Sequence, residues 1–318
     1  MANSITDVKG ITVGSVEDLD ALTGCTVILT GREGAVCGVD VRGSAPGTRE
    51  TDLLSPLNAV ERVHAVLLAG GSAFGLDAAC GVMEYLEEEE IGHKTSTAIV
   101  PIVPAAVLYD LGVGNPKVRP DRKMGYLACK KAGKEVREGN VGAGTGATIG
   151  KLRGYVNSTK GGMGTWSITL NNGLTVGAIV AVNAFGDVFD PEKGRIVAGV
   201  RDDNGVIVGS CRTFQALSGI KVEGEVLTNT TIAVVACNAK FNKIQANKMA
   251  QMAHNGLAKV IRPVHTNYDG DTVFALATGE VEADVNIAGY LAAEALARAV
   301  LRAVYAAETV KGIKSWRD

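Results

Sequence analysis

The segment Asn229-Thr230-Thr231-Ile232-Ala233-Val234-Val235 sets a small polar residue and two hydroxyls directly ahead of an apolar run with the composition of a buried strand. A threonine hydroxyl is a weak nucleophile until a base removes its proton. The α-amine at a chain start, with a free pKa of about 8, can be that base for the hydroxyl of its own residue. Such a residue exists only once the chain has been cut immediately before it. Thr230 is therefore a candidate nucleophile, Asn229-Thr230 a candidate scissile bond, and Thr231 the adjacent rival. The same residues also read as an ordinary strand start, because β-branched side chains favour strands.

Other chemistries fail on spacing. A phosphate loop ending at Gly150-Lys151 needs glycine at 145 and a hydroxyl after the lysine, where Thr145 and Leu152 stand. Gly142-x-Gly144-x-x-Ala147 approximates a dinucleotide fingerprint, but the polar KKAGKEVREGN before it makes a poor buried strand. GGSAFG follows a better strand with worse spacing. His64, His93, His254 and His265 form no paired zinc motif, and NYDGD, Asn267 to Asp271, lacks the register of a calcium loop. No cofactor or metal is implied. Cys25, Cys37, Cys80, Cys129, Cys211 and Cys237 form no C-x-x-C pair and read as reduced, buried, structural thiols.

The elements that must position these residues alternate between strands and helices. CTVIL and AVCGVDV flank the turn Gly31 to Gly34 and predict a hairpin. A glycine- and proline-containing loop, Arg42 to Asp52, follows. HAVLLAGG is a short apolar run closed by glycines, after which Ser72 caps a helix to about Glu90 with Phe74, Ala78, Val82 and Leu86 on one face. Glu87 to Glu90 make a solvated end. Val118 to Asn140 is basic and helical in part. WSITL and LTVGAIVAVNAFGDV read as strands, and Pro191 to Val226 as a connector or linker. Beyond the Thr230 strand, a helix is expected from Asn242 to about Ala258, then a loop. A last, largely buried helix runs from Val285 to Glu308, with Glu294, Arg298 and Arg302 along one wet edge. A layered α/β or α+β sandwich accommodates this order.

Composition narrows the classes. The 318 residues are 46% hydrophobic and 21% charged, as in a globular chain with a large core. A net charge of -2 and only 5% aromatics argue against a nucleic-acid partner. No apolar stretch is long enough for a membrane helix, and MANSITDVKGITVG is no secretory signal, so a soluble, cytoplasmic protein is expected. Glycine is over-represented, with 40 residues in short clusters that read as tight turns and close backbone approaches.

Motifs along almost the whole chain add a resemblance. RGSAPGTRETDLL, LLAGGSAFGLDAACGVMEYL, VPAAVLYDLGVG, VGAGTGATIGK, KGGMGT, NTTIAVVACNA and RPVHTNYDGDTVFALATG together resemble the DmpA-type aminopeptidase family, which includes β-aminopeptidases and nylon-oligomer hydrolases. The resemblance implies an α+β fold: a four-layer αββα sandwich of the DmpA and ornithine-acetyltransferase N-terminal-nucleophile kind. It implies one domain over residues 1–318 that cuts itself into 1–229 and 230–318 and assembles as a homotetramer. It maps Thr230 to the nucleophile and Asn183 in AVNAFG to an oxyanion donor. Lys151 in GATIGK maps to an active-site cation, Asp269 and Asp271 in NYDGD to an acidic pair orienting the nucleophile, and Tyr109 in VLYDLG to a site tyrosine. Because alternate residues of an extended segment point opposite ways, only one carboxylate is expected to touch Thr230 directly. Threonine stands here where DmpA-like members use serine, as in the nylon-hydrolase branch.

The implied activity is hydrolysis of amide bonds in small peptides, amino-acid amides or oligoamides, including 6-aminohexanoate oligomers, through an acyl-enzyme. One alternative is an acyltransferase of the ornithine-acetyltransferase type, whose K-G-x-G-M-I and N-M-A-T runs are absent. The other is a non-catalytic, glycine-rich small-molecule binder.

Overall fold

In the computed structural model, which describes residues 3–216 and 229–318, alternation along two sheets sorts apolar side chains into three layers. A six-stranded sheet runs in the order Gly162–Thr169, Thr175–Asn183, Thr230–Ala239, Thr272–Val281, Ala35–Val41, Arg62–Val63. A five-stranded sheet runs Thr12–Asp18, Thr23–Leu29, Ala65–Ala69, Ala105–Val107, Gly47–Arg49. Neighbours are antiparallel except for two parallel pairs: Thr230–Ala239 beside Thr272–Val281, and Ala65–Ala69 beside Ala105–Val107.

The helices are α1 (Ala78–Glu88), α2 (Arg122–Lys130), α3 (Ser210–Ala216), α4 (Lys243–Val260) and α5 (Val285–Ala306). Ile232, Val234, Phe274 and Leu276 of the larger sheet meet Ile28, Val66 and Leu68 of the smaller one between the sheets. The alternate residues Ala233, Val235, Val273 and Ala275 face α4 and α5, with Ala250, Leu257, Leu296 and Val300. On the outer face of the smaller sheet, Val27 and Leu67 pack with Val82 and Leu86 of α1 and Ala128 of α2. The result is helix, sheet, sheet, helix, the expected αββα sandwich. The Asn242 cap is formed as a capping box with Gln245, and α4 starts one residue later.

Several local expectations are corrected. Thr23–Leu29 and Ala35–Val41 do not form a hairpin; the turn between them carries the chain from one sheet to the other, with Gly31 and Gly34 at φ of 78° and 69°. Thr23–Leu29 pairs with Thr12–Asp18 and Ala65–Ala69, and Ala35–Val41 with Thr272–Val281 and Arg62–Val63, so neither pairs with the other. Ser72 caps nothing: it opens a 3₁₀ segment, Ser72–Asp77, and the α-helix begins only at Ala78. Phe74 points outward, 60% exposed, under the Arg119 guanidinium at 3.9 Å. The run LTVGAIVAVNAFGDV breaks after Asn183, and Asp187–Asp190 joins a separate sheet between Arg195–Ala198 and Ile261–Arg262.

The expected connector after Pro191 contains that Arg195–Ala198 strand and α3, held by the Asp187 carboxylate through Val200 N at 3.1 Å and Ser210 Oγ at 2.7 Å. Its end, 217–226, lies outside the described residues. Cys25, Cys37, Cys129 and Cys237 are buried, but Cys80 is half-buried and Cys211 exposed, because α3 leaves only Ser210 covered. In α5, which ends at Ala306, the wet edge bonds to other segments: Glu294 to Lys259 and Arg302 to Glu138. Its alanine face packs on the strands Gly162–Thr169 and Thr175–Asn183 of the same chain.

Candidate active site

Antiparallel pairing sets Asn183 directly opposite Thr230 at the end of the larger sheet. Asn183 shares the inter-sheet face with Ile179 and Ala181, and Thr230 shares it with Ile232 and Val234. The two polar residues therefore stand side by side on one face. Thr231, one position on, faces α4 and α5 with Ala233. Strand alternation thus separates the two threonines that the sequence leaves adjacent.

The glycine loop ending in Lys151 closes over Asn183. Asn183 Oδ1 accepts the Thr148 N–H at 3.0 Å and the Lys151 ammonium at 3.0 Å, and Nδ2 donates to the Tyr109 carbonyl at 3.1 Å. Lys151 Nζ also donates to the carbonyls of Thr148 at 2.8 Å and Asn183 at 3.3 Å. Burial lowers the Lys151 ammonium to about 7; Asp269 acts against that shift and the Lys160 charge adds to it. Tyr109 thus reaches the cluster through its carbonyl, and its side chain is half-buried.

The acidic segment crosses on the other side. Asn229 forms a parallel bridge with Asp269, and its carbonyl accepts the Gly270 N–H at 3.0 Å. The Thr230 hydroxyl donates to that same carbonyl. A Cβ at Gly270 would stand 2.8 Å from Thr230 Oγ1 and 2.5 Å from the Ala45 carbonyl oxygen, so only glycine lets the backbone pass this close. The Arg42 to Asp52 loop supplies the far wall, with Ala45 N donating to Asp269 O at 3.0 Å and Arg42 N to Asp271 O at 3.0 Å.

Both carboxylates are buried, 2% and 1% exposed, and they do different things. Asp269 accepts from Thr266 N at 2.9 Å, Thr266 Oγ1 at 2.6 Å and Phe185 N at 3.3 Å. Burial, with the neighbouring Asp271 charge, pushes it up to about 6. Asp271 Oδ1 accepts the Thr231 N–H at 2.7 Å, and its Oδ2 meets His265. Asp269 thus holds Thr266 and Phe185, and the contact expected between one carboxylate and Thr230 itself is made by Asp271 at the next amide in the chain, that of Thr231.

Lys160 is a residue that sequence reasoning passed over. It lies in KGGMG, where a lysine among glycines looks like any solvated one. In the fold it is wholly buried, donating to the carbonyls of Gly144 and Ala147 at 3.0 Å and Gly161 at 2.8 Å. It thereby pins the loop that carries Thr148 and Lys151. Nearby Asp110 accepts from Thr23 Oγ1 at 2.8 Å and Gly71 N at 2.7 Å.

Burial holds Lys160 down to about 7 against a free value of 10.5. Between those values the unfolded chain keeps a proton that the folded chain has released, so stability rises with pH across the window. One such group contributes up to about 1.4 kcal/mol per pH unit. Lys151 titrates in the same window, whereas Asp110, raised to about 6, acts below it. Lys160→Met should flatten, without abolishing, the rise in melting temperature from about pH 7.5 to about pH 10. An unchanged slope would mean that Lys160 stays charged throughout.

Comparison with known proteins bears on the family and the fold. The sequence profile described as peptidase family S58 matches residues 3–317. An uncharacterized aminopeptidase of Mycobacterium leprae is 47% identical, over 99% of this chain and 93% of its own length. A 6-aminohexanoate-oligomer endohydrolase of Paenarthrobacter ureafaciens is 31% identical, over 87% of this chain and 75% of its own. The solved L-aminopeptidase D-Ala-esterase/amidase of Ochrobactrum anthropi, a variant of the Ntn hydrolase fold, superposes with a TM-score of 0.71. That match covers 96% of this chain and 86% of the other at 20% identity. Matched by the family profile over nearly its full length, and layered like a solved N-terminal-nucleophile hydrolase, the chain belongs to peptidase family S58 and is a hydrolase of amide bonds.

Proposed function

We propose that this hydrolase cuts its own Asn229-Thr230 bond and then uses Thr230 to cleave amide bonds of small peptides or oligoamides. The observation that carries the reading is the double hydrogen bond on the Asn229 carbonyl, from the Thr230 hydroxyl and the Gly270 N–H. One group is the attacking hydroxyl, and the other is a backbone donor where negative charge develops as the carbonyl becomes tetrahedral. In self-cleavage, Thr230 Oγ bonds to the Asn229 carbonyl carbon, the C–N bond breaks, and the hydroxyl proton ends on the departing Thr230 nitrogen. Water then splits the ester, leaving a carboxylate on Asn229 and a free hydroxyl and amine on Thr230.

In turnover the freed amine takes the hydroxyl proton, Thr230 Oγ attacks the substrate carbonyl, and the leaving amine departs with that proton. Water activated by the same amine releases the acid. Asn183 and Lys151 lie on the face of Thr230 and are suited to hold the oxyanion and the substrate. The names of the two sequence relatives support peptides and 6-aminohexanoate oligomers as the substrate classes.

N-terminal sequencing of fully active protein tests the reading. It should return a second terminus beginning Thr-Thr-Ile, and full activity with only the first terminus would refute it. A panel of aminoacyl p-nitroanilides with a 6-aminohexanoate oligomer then ranks the substrates, and transfer to an amino-acid acceptor faster than hydrolysis would favour the acyltransferase reading.

A further inference from the structure

Behind the sheet, away from Thr230 and Asn183, lies a second polar cluster. Asp271 shares the helix-side face with Val273 and Ala275, as Thr231 does with Ala233 and Val235. There Asp271 Oδ1 accepts the Thr231 N–H at 2.7 Å, while Oδ2 accepts the His265 N–H at 3.2 Å and lies 2.8 Å from His265 Nδ1. Both carboxylate oxygens are thereby committed. The amide that Asp271 grips is the one immediately after Thr230, so its position sets where the Thr230 backbone stands.

The tautomers follow from the partners. His254, wholly buried on α4, has Nε2 2.9 Å from the Asp40 carbonyl oxygen, which can only accept, so Nε2 carries the proton. Its ring meets that of His265 edge to face at a centroid distance of 4.8 Å. The Asp271 carboxylate likewise only accepts, so His265 presents Nδ1–H to it. His265 holds this pose at φ 57°, a conformation glycine or asparagine adopts more readily than histidine.

We propose that His265 is a positioning residue for amide hydrolysis. Its Nδ1–H fixes the Asp271 carboxylate, which fixes the Thr231 amide and so the first residue of the catalytic strand, with the His254 ring as backing. The inference rests on Thr230 being the nucleophile.

Two substitutions separate this role from a merely structural one. His265→Gly suits the backbone angle and removes the donor. His265→Asn also suits the angle, and its side-chain N–H falls where Nδ1–H was, without the second ring nitrogen. The glycine variant should lose about a hundredfold in kcat, the scale of a misplaced reacting group, with KM within about twofold. Its melting temperature should fall, because the buried Asp271 carboxylate loses one donor, and its Thr231 amide should exchange hydrogen faster. The asparagine variant should recover kcat to within a few-fold of wild type.

A glycine variant with wild-type kcat overturns the proposal, as does an asparagine variant no better than glycine. Wild type sequenced in parallel keeps the two ideas apart. A missing terminus at Thr230 sinks the nucleophile assignment, whereas a processed wild type beside a fully active glycine variant sinks only the role of His265.

Discussion

Thr230→Ala is expected to migrate as one chain of about 33 kDa, and wild type, if it cuts itself as proposed, as fragments of about 24 and 9 kDa in proportion to 229 and 89 residues. Hydrolysis should fall by about a millionfold, as it does when a protease loses its nucleophile. The magnitude follows from chemistry that nothing else nearby can supply. Thr231, the adjacent hydroxyl, lies on the opposite face of the strand against α4 and α5 and cannot substitute without turning the strand over. Thr230→Ser keeps the hydroxyl and should still yield two bands. Two bands from the alanine variant, or substantial turnover by its uncut chain, would remove Thr230 from the mechanism.

Asn183→Asp is expected to lower kcat by about a hundred- to a thousandfold, the cost of losing one oxyanion donor. The substitution is informative because of what Asn183 holds. Its Oδ1 takes the Thr148 N–H and the Lys151 ammonium, and a carboxylate can go on accepting from both, so the loop should stay in place. What disappears is the Nδ2 donor, which in the continuous chain meets the Tyr109 carbonyl. The new negative charge also favours the ionised Lys151 and raises its pKa from about 7. Asn183→Leu differs by stripping both functions and leaving the buried Thr148 N–H and Lys151 ammonium with fewer partners, at about 1–3 kcal/mol for each group left unsatisfied. The aspartate variant, whose second carboxylate oxygen faces the Tyr109 carbonyl, should therefore melt below wild type, and the leucine variant lower still. Turnover of the aspartate variant within tenfold of wild type would rule out Asn183 as an oxyanion donor.

Much of the local structure was legible along the chain. The continuous apolar run after Thr230, the Asn242 cap with its long helix, and the buried alanine face of the last helix are all local signals that need no partner to be read. The glycines of NYDGD and RGSAPG mark close approaches, and the fold shows which: a Cβ at Gly270 would crowd Thr230 Oγ1, and one at Gly43 would come within 2.2 Å of the Asp269 carbonyl oxygen. The hairpin after Cys25 misled because a turn signal states that the chain reverses and leaves open which strands then share hydrogen bonds.

What the residues determined alone is therefore the longer strands and helices and the hydroxyl at the head of one strand, since hydrophobic patterning and side-chain chemistry are local. Tertiary structure decided the register that sets Asn183 opposite Thr230, the face that separates Thr230 from Thr231, and the burial and contacts that gather Lys151, Lys160, Asp269 and His265 around the candidate site. Pairing and desolvation depend on segments as far apart as Arg42 and Asp271, and no spacing within a single segment encodes them.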